Sequence, residues 1–114
     1  MHELSVCQAL LAQVTTIARN HGSSRVLRIE IEVGPLSGID ASQLTSAFQV
    51  MRRGSCAAGA ALTVQSTPII ITCNACGTNS PAAANRLSCP ACSQPLTALV
   101  SGDELRLMRI EMEK

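Results

Sequence analysis

The chain has 114 residues, 46% of them hydrophobic and 15% charged, with a formal net charge of +1. That balance excludes a disordered chain. The near-zero charge is wrong for a protein that grips nucleic acid or anionic membrane by bulk electrostatics. Trp and Tyr are absent and Phe48 is the single Phe, so the core must be aliphatic and no aromatic platform exists for stacking bases.

The first element reads as a helix. Leu4, Cys7, Leu11, Val14 and Ala18 recur at spacings of three and four, with Leu10 and Ile17 widening the stripe. Arg19 and His21 sit where cations complement the helix dipole, and Gly22 can stop the helix. A strand follows, with Leu27, Ile29, Ile31 and Val33 alternating with Arg28, Glu30 and Glu32, until Gly34-Pro35 ends it. A second helix starts near Asp40, which can cap it, with Gln43 placed to return a bond to the cap. Ile39 and Leu44 are spaced as a hydrophobic staple, Leu44, Ala47, Phe48 and Met51 form the buried face, and Arg52-Arg53-Gly54 reads as a solvated end.

Residues 55–61 read as a turn, and Leu62 and Val64 mark a second strand. From Cys73 to Cys92 the composition changes to Cys, Gly, Asn, Ser, Pro and Ala, a separate small module. The last strand, from Glu104 to Met112, changes phase once: Leu105 and Leu107 share one face, Met108, Ile110 and Met112 the other. A bulge near Leu107-Met108 absorbs that change. The expected fold is α+β: two helices packed on a three-stranded sheet, with an inserted zinc-ribbon-like module of four cysteines. The expected division is 1–70 plus 98–114 for the main domain and 71–97 for the insert.

Six cysteines and no basic-plus-apolar leader lead to the expectation of a cytoplasmic protein that uses its thiols for metal or redox chemistry. The longest apolar stretches are too short to span a bilayer. Cys73-Asn-Ala-Cys76 and Cys89-Pro-Ala-Cys92 each wrap a tight turn that sets two thiolates on adjacent corners of a tetrahedron. Four thiolates at about 2.3 Å suit Zn²⁺, and such a closed set leaves no position for substrate, so the zinc is expected to be structural. Gly77 follows the first pair and Ser93 the second. Arg86 is the one basic residue between the pairs, which weighs against a nucleic-acid reader. Cys7 lies on the apolar stripe and reads as a small hydrophobe, while Cys56 has no ligand partner near it in sequence.

The opening residues carry a second metal reading. The α-amine of Met1, the amide and imidazole nitrogens of His2, and Glu3, through its carboxylate or its amide, can together form a chelating set suited to Ni²⁺ or Cu²⁺, while the spacing by itself equally admits His2 as an arbitrary surface position at a frayed helix start. Met1-His2-Glu3-Leu4-Ser5, Val33-Gly34-Pro35-Leu36-Ser37, Cys73-x-x-Cys76-Gly77 with Cys89-Pro90-x-Cys92, and Gly102-Asp103-Glu104-Leu105 leading into Arg109-Ile110-Glu111 follow one another along nearly the whole chain. In this combination the chain resembles the HypA/HybF hydrogenase maturation factors. The resemblance implies a non-enzymatic nickel metallochaperone serving [NiFe]-hydrogenase, and in some members urease and its accessory proteins. It further implies action with a HypB-type GTPase and the hydrogenase large subunit, nickel at Met1, His2 and Glu3, and zinc at Cys73, Cys76, Cys89 and Cys92. A zinc-ribbon adaptor that binds protein or nucleic acid without nickel is the rival reading.

Overall fold

The computed structural model describes residues 3–113. The elements are α1 (Glu3–Asn20), β1 (Val26–Val33), α2 (Ala41–Met51), β2 (Ala61–Ser66), β3 (Ile70–Cys73), β4 (Asn79–Pro81), β5 (Thr97–Ser101) and β6 (Leu105–Met112). They form two three-stranded sheets, β2-β1-β6 and β4-β3-β5. β1 is the centre of the first, parallel to β2 and antiparallel to β6. No helix among the described residues is long and apolar enough to cross a membrane.

The core lies between the two helices and the first sheet. Cys7, Leu10, Val14, Ile29, Ile31, Leu44 and Phe48 are its buried centre. Cys7 is fully buried there, and burial pushes its thiol up, so it packs as a neutral small hydrophobe. The expected helix face differs at its start: Leu4 is 64% exposed and Glu3 is buried instead. The cause is tertiary, because Glu3 binds the start of α2. The strand expectation also differs at one place, where Val26 is buried and Leu27 exposed. A register shift against β6 between Val26 and Arg28 turns Leu27 outward.

Both helices end as their sequences require. The Ser23 N–H donates to the Ala18 carbonyl and the Gly22 N–H to the Arg19 carbonyl, the paired bonds of a Schellman cap. His21 Nδ1 lies 2.8 Å from the Ile17 carbonyl oxygen, at the helix end assigned to it. Asp40 caps α2 and accepts from the Gln43 N–H at 3.0 Å. Arg52 is less solvated than expected: it donates to the Ala60 carbonyl at 2.7 Å and lies 5.6 Å from the Phe48 ring centroid. The bulge in β6 falls where the phase change placed it, since Glu30 faces Arg109 while Ile31 faces Leu107, leaving Met108 unpaired against β1.

The second sheet spans Ile70 to Ser101 and gives the insert more regular structure than a loop. The radius of gyration is 17.3 Å, against about 13 Å for a compact domain of this length. The two bodies therefore lie end to end, joined by residues 67–69 and 102–104. That joint is tightly bonded. The Gly34 N–H donates to the Glu104 carbonyl at 2.8 Å, the Leu36 N–H to the Gly102 carbonyl at 2.7 Å, and the Thr67 N–H to the Val33 carbonyl at 3.2 Å. The Ser101 hydroxyl donates to the Pro68 carbonyl at 2.7 Å. The chain segments meet so closely at Gly34 that a Cβ there would lie 2.1 Å from the Gly102 carbonyl oxygen.

Candidate metal centres

Cys73, Cys76, Cys89 and Cys92 converge, with all four sulfur atoms within 4.8 Å of one another. Cys73 ends β3, which fixes its direction, and Cys76 follows one tight turn later. The Gly77 N–H donates to the Cys73 carbonyl at 3.0 Å, and the Cys73 N–H donates to the Thr78 carbonyl at 3.0 Å. The second pair repeats the same turn: the Ser93 N–H donates to the Cys89 carbonyl at 2.8 Å and the Cys89 N–H to the Gln94 carbonyl at 2.9 Å. Cys73 and Cys89 are buried and Cys76 and Cys92 exposed, so each turn contributes one inner and one outer sulfur.

The sulfur separations test the fit of a metal. Cys73 to Cys92 is 3.5 Å, Cys76 to Cys89 is 3.8 Å and Cys76 to Cys92 is 3.9 Å. Metal–sulfur bonds of about 2.3 Å at tetrahedral angles give edges of about 3.8 Å. The cage has the size of a tetrahedral S₄ site. Backbone donors prepare it for charge: the Ala75 and Cys76 N–H groups point at Cys73 Sγ at 3.3 and 3.4 Å. The Cys76 N–H and the Ala75 N–H lower the Cys73 thiol against the desolvation that raises it. The hydroxyl and then the backbone N–H of Thr78, with help from the Cys73 thiol, bring Cys76 down to about 6. Cys92 is pushed up to about 12, because the pull of the Gln94 N–H is outweighed by the Cys73 sulfur, desolvation, Cys89 and Cys76. Four sulfurs this close cannot all ionise without a cation among them.

The two turns differ in one strained residue. Gly77 has φ +73° and Ser93 has φ +63°, the one non-glycine at positive φ among the described residues. A side chain in that region costs roughly 1–2 kcal/mol, which glycine does not incur. Ser93→Gly is expected to raise the unfolding free energy of the metal-loaded protein by about 0.5–1 kcal/mol, and its guanidinium midpoint with it, after the extra unfolded-state freedom of glycine is subtracted. An unchanged or lower midpoint in guanidinium titration would show that the Ser93 turn stores no strain.

The second candidate centre lies at the start of α1. Met1 and His2 fall outside the described residues, and Glu3 is the first whose side chain is placed. The Glu3 carboxylate accepts from the Asp40 N–H at 3.1 Å. This is the bond expected from Gln43 in a capping box, supplied instead from a helix 37 residues away in sequence. Glu3 is thus buried as a clamp between the first turns of α1 and α2. A cavity of about 630 Å³ opens beside it, lined by Glu3, Leu4, Gln43, Ser46 and Ala47. Local periodicity could not have found this corner, since its signal is a pairing across the sequence.

Cys7 and Cys56 join neither centre. Cys7 belongs to the core, and Cys56 Sγ lies 3.8 Å from the Thr15 hydroxyl, away from the cage.

Comparison with known proteins fits this layout. The family model described as "Hydrogenase/urease nickel incorporation, metallochaperone, hypA" matches residues 1–112. The chain is 39% identical to the hydrogenase maturation factor HypA of Nitrosospira multiformis, covering 98% of this chain and 97% of that protein. It is 38% identical to that of Solidesulfovibrio magneticus, covering 99% and 100%. Among solved structures, the solution structure of the Ni metallochaperone HypA from Helicobacter pylori aligns with a TM-score of 0.75 at 28% identity, covering 98% of this chain and 97% of that one. The chain belongs to the HypA family, whose members are metallochaperones in hydrogenase maturation and not enzymes.

Proposed function

We propose that this chain is a nickel carrier for [NiFe]-hydrogenase maturation, which takes Ni²⁺ through Met1, His2 and Glu3 and holds a structural Zn²⁺ at Cys73, Cys76, Cys89 and Cys92. The observation that carries the reading is the family match over residues 1–112, which includes both the opening tripeptide and the sulfur cage. The zinc domain is assigned to residues 70–101, wider than the expected 71–97 because Ala98 to Ser101 pair with β3 in the second sheet, and the main domain to the segments on either side.

The chemistry of the two donor sets supports two different ions. The all-sulfur cage suits a d¹⁰ ion with no geometric demand beyond a tetrahedron, and it leaves no open position, so its role is to hold the insert together. The opening residues offer an amine, backbone amide nitrogens and an imidazole, a nitrogen-rich set that suits Ni²⁺. A carrier must also release its cargo, which favours few donors at the edge of the molecule. The Glu3 clamp supplies firmness without enclosure, since it fixes the first turn of α1 on α2 while Leu4 beside it stays open to solvent. The recipients assigned are the hydrogenase large subunit and, by way of the same nickel chemistry, urease and its accessory proteins, with a HypB-type GTPase as the partner in transfer.

His2→Ala is expected to abolish stoichiometric Ni²⁺ binding in calorimetric titration, while circular dichroism and a zinc content of one per chain by mass spectrometry stay unchanged. Undiminished nickel affinity in that variant would overturn the assignment.

A further inference from the structure

The connection between β1 and α2, residues 34–40, runs from the joint of the two bodies to the Glu3 corner. At one end the Gly34 and Leu36 N–H groups are bonded to Glu104 and Gly102 across the joint. At the other end the Asp40 N–H donates to the Glu3 carboxylate. Gly38 lies between, at φ +77° and with nothing within 4 Å of where a Cβ would stand. Glycine has the freest backbone of any residue, so packing alone does not fix the chain at this point.

The Ser37 side chain fixes it instead. Its hydroxyl donates to the Gly34 carbonyl at 2.7 Å and accepts from the Ile39 N–H at 3.2 Å. The Ser37 N–H donates to the same Gly34 carbonyl at 3.0 Å. One oxygen thus spans Gly38: it ties Ile39, the residue before the cap of α2, to Gly34, the residue that crosses the joint. Serine hydroxyls are suited to this because they supply a bond that the turning backbone cannot make for itself. Without it the Ile39 N–H loses its partner, Gly38 is free to rotate, and the Asp40 N–H is no longer aimed.

We infer that Ser37 is a positioning residue for nickel binding: its hydroxyl aims the Asp40 N–H at Glu3, and through Glu3 it steadies the opening residues that take the ion. The inference rests on the nickel-carrier reading. Glu3 follows His2 directly in the chain and belongs to the donor set, so a bond that orients Glu3 orients the first turn of α1. Groups bonded behind metal donors govern affinity, and losing one costs about 10–100-fold. Ser37 acts a step further back, so the expected loss is smaller, about three- to tenfold. It falls on the rate of release, because the donors that capture the ion are unchanged. A hydroxyl that merely stiffened the molecule would behave like that of Ser101, which donates to the Pro68 carbonyl at the same 2.7 Å within the joint but outside the 34–40 connection.

Two measurements on the full, zinc-loaded chain test the two steps. Amide exchange by NMR, without nickel, reads the Asp40 N–H, and stopped-flow transfer of Ni²⁺ to a chromophoric chelator reads release. In Ser37→Ala the Asp40 amide should exchange at least about fivefold faster. Ni²⁺ should leave about three- to tenfold faster, with circular dichroism and zinc content unchanged. Ser37→Thr keeps the hydroxyl and should bring both rates back to within about twofold of the wild type. Ser101→Ala should leave both at wild-type values. An Asp40 amide as protected in Ser37→Ala as in the wild type would overturn the proposal. So would a freed amide with unchanged release, a Ser37→Thr that fails to recover, or a Ser101→Ala that loses nickel equally fast. A wild type that takes up no nickel would overturn the carrier reading and this proposal with it. A wild type that binds nickel and releases it no more slowly than Ser37→Ala would overturn this proposal alone.

Discussion

Replacing Cys73 by Ser, or stripping the cage with a strong chelator, is expected to unfold residues 70–101 while the two helices and the β2-β1-β6 sheet stay folded. The second sheet has almost no core of its own. Its buried apolar side chains are Ile69, Ile71 and the two inner cysteines, whereas Leu87, Leu96, Leu99 and Val100 are exposed. Three short strands with so little burial cannot offset the entropy of ordering some thirty residues. A structural zinc contributes on the order of 10–16 kcal/mol of apparent binding energy, enough to make folding and metal uptake one event. The main core contains no residue beyond Ala60 in its buried set, so it loses nothing directly. A ¹⁵N–¹H spectrum of the variant should keep dispersed peaks for the first body and lose them for 70–101. Dispersed peaks throughout, with no metal by mass spectrometry, would show that the cage is not what holds the insert.

Acid should do the same by degrees. Metal binding requires thiolates, so each thiol still protonated must lose its proton to the solvent. Cys92, at about 12, is protonated at neutral pH and releases one. Cys76, at about 6, is already mostly ionised at pH 7 but becomes a second proton source below pH 6. Affinity should therefore fall by at least about tenfold per unit as pH drops from 8 to 6, and more steeply below. Competition with a chromophoric chelator at several pH values measures the slope, and a flat profile would contradict a thiolate cage.

Much of this architecture was legible in the order of residues. The spacing of Cys7, Leu11, Val14 and Ala18 describes the buried face of α1, Asp40 caps α2, and the phase change at Leu107-Met108 marks a bulge that the register against β1 places at the same point. The doubled Cys-x-x-Cys gave the cage, because each pair carries its own turn and the chemistry of four sulfurs needs little further context. What the sequence hid were contacts between distant segments. Leu4 fits the helical stripe and is nonetheless exposed, since Glu3 turns inward to meet the Asp40 N–H. Arg52 looks like a solvated end until the Ala60 carbonyl and the Phe48 ring are placed beside it. The second sheet leaves little trace in the sequence, because β4 has three residues and its strands show no sustained alternation.

Gly34→Ala is expected to destabilise the protein by about 3–5 kcal/mol, a large part of the stability of an ordinary small domain. The new Cβ would meet the Gly102 carbonyl oxygen at 2.1 Å, the Gly102 carbonyl carbon at 2.2 Å and the Asp103 nitrogen at 2.8 Å. All three are backbone atoms, so no rotamer change relieves the overlap and the two segments must part. Parting them breaks the Gly34-to-Glu104 and Leu36-to-Gly102 hydrogen bonds on either side. Gly102 cannot retreat, because its own α-carbon faces Ile69 of the other connecting segment, where a Cβ would lie 2.9 Å from Ile69 Cγ1. The motifs Val33-Gly34-Pro35-Leu36-Ser37 and Gly102-Asp103-Glu104-Leu105, which look independent in the sequence, are thus two halves of one joint between the bodies. Gly59→Ala is the matched control, since a Cβ there meets nothing within 4 Å and its φ is ordinary; it should change the unfolding free energy by less than about 1 kcal/mol. Guanidinium titration reads the stabilities of the two variants, and small-angle scattering reads whether the 17.3 Å radius of gyration grows as the joint opens. Metal content should stay at one per chain in Gly34→Ala, because the cage lies wholly beyond the joint. A Gly34→Ala protein as stable and as extended as the control would mean that the bodies are held by something other than this backbone crossing.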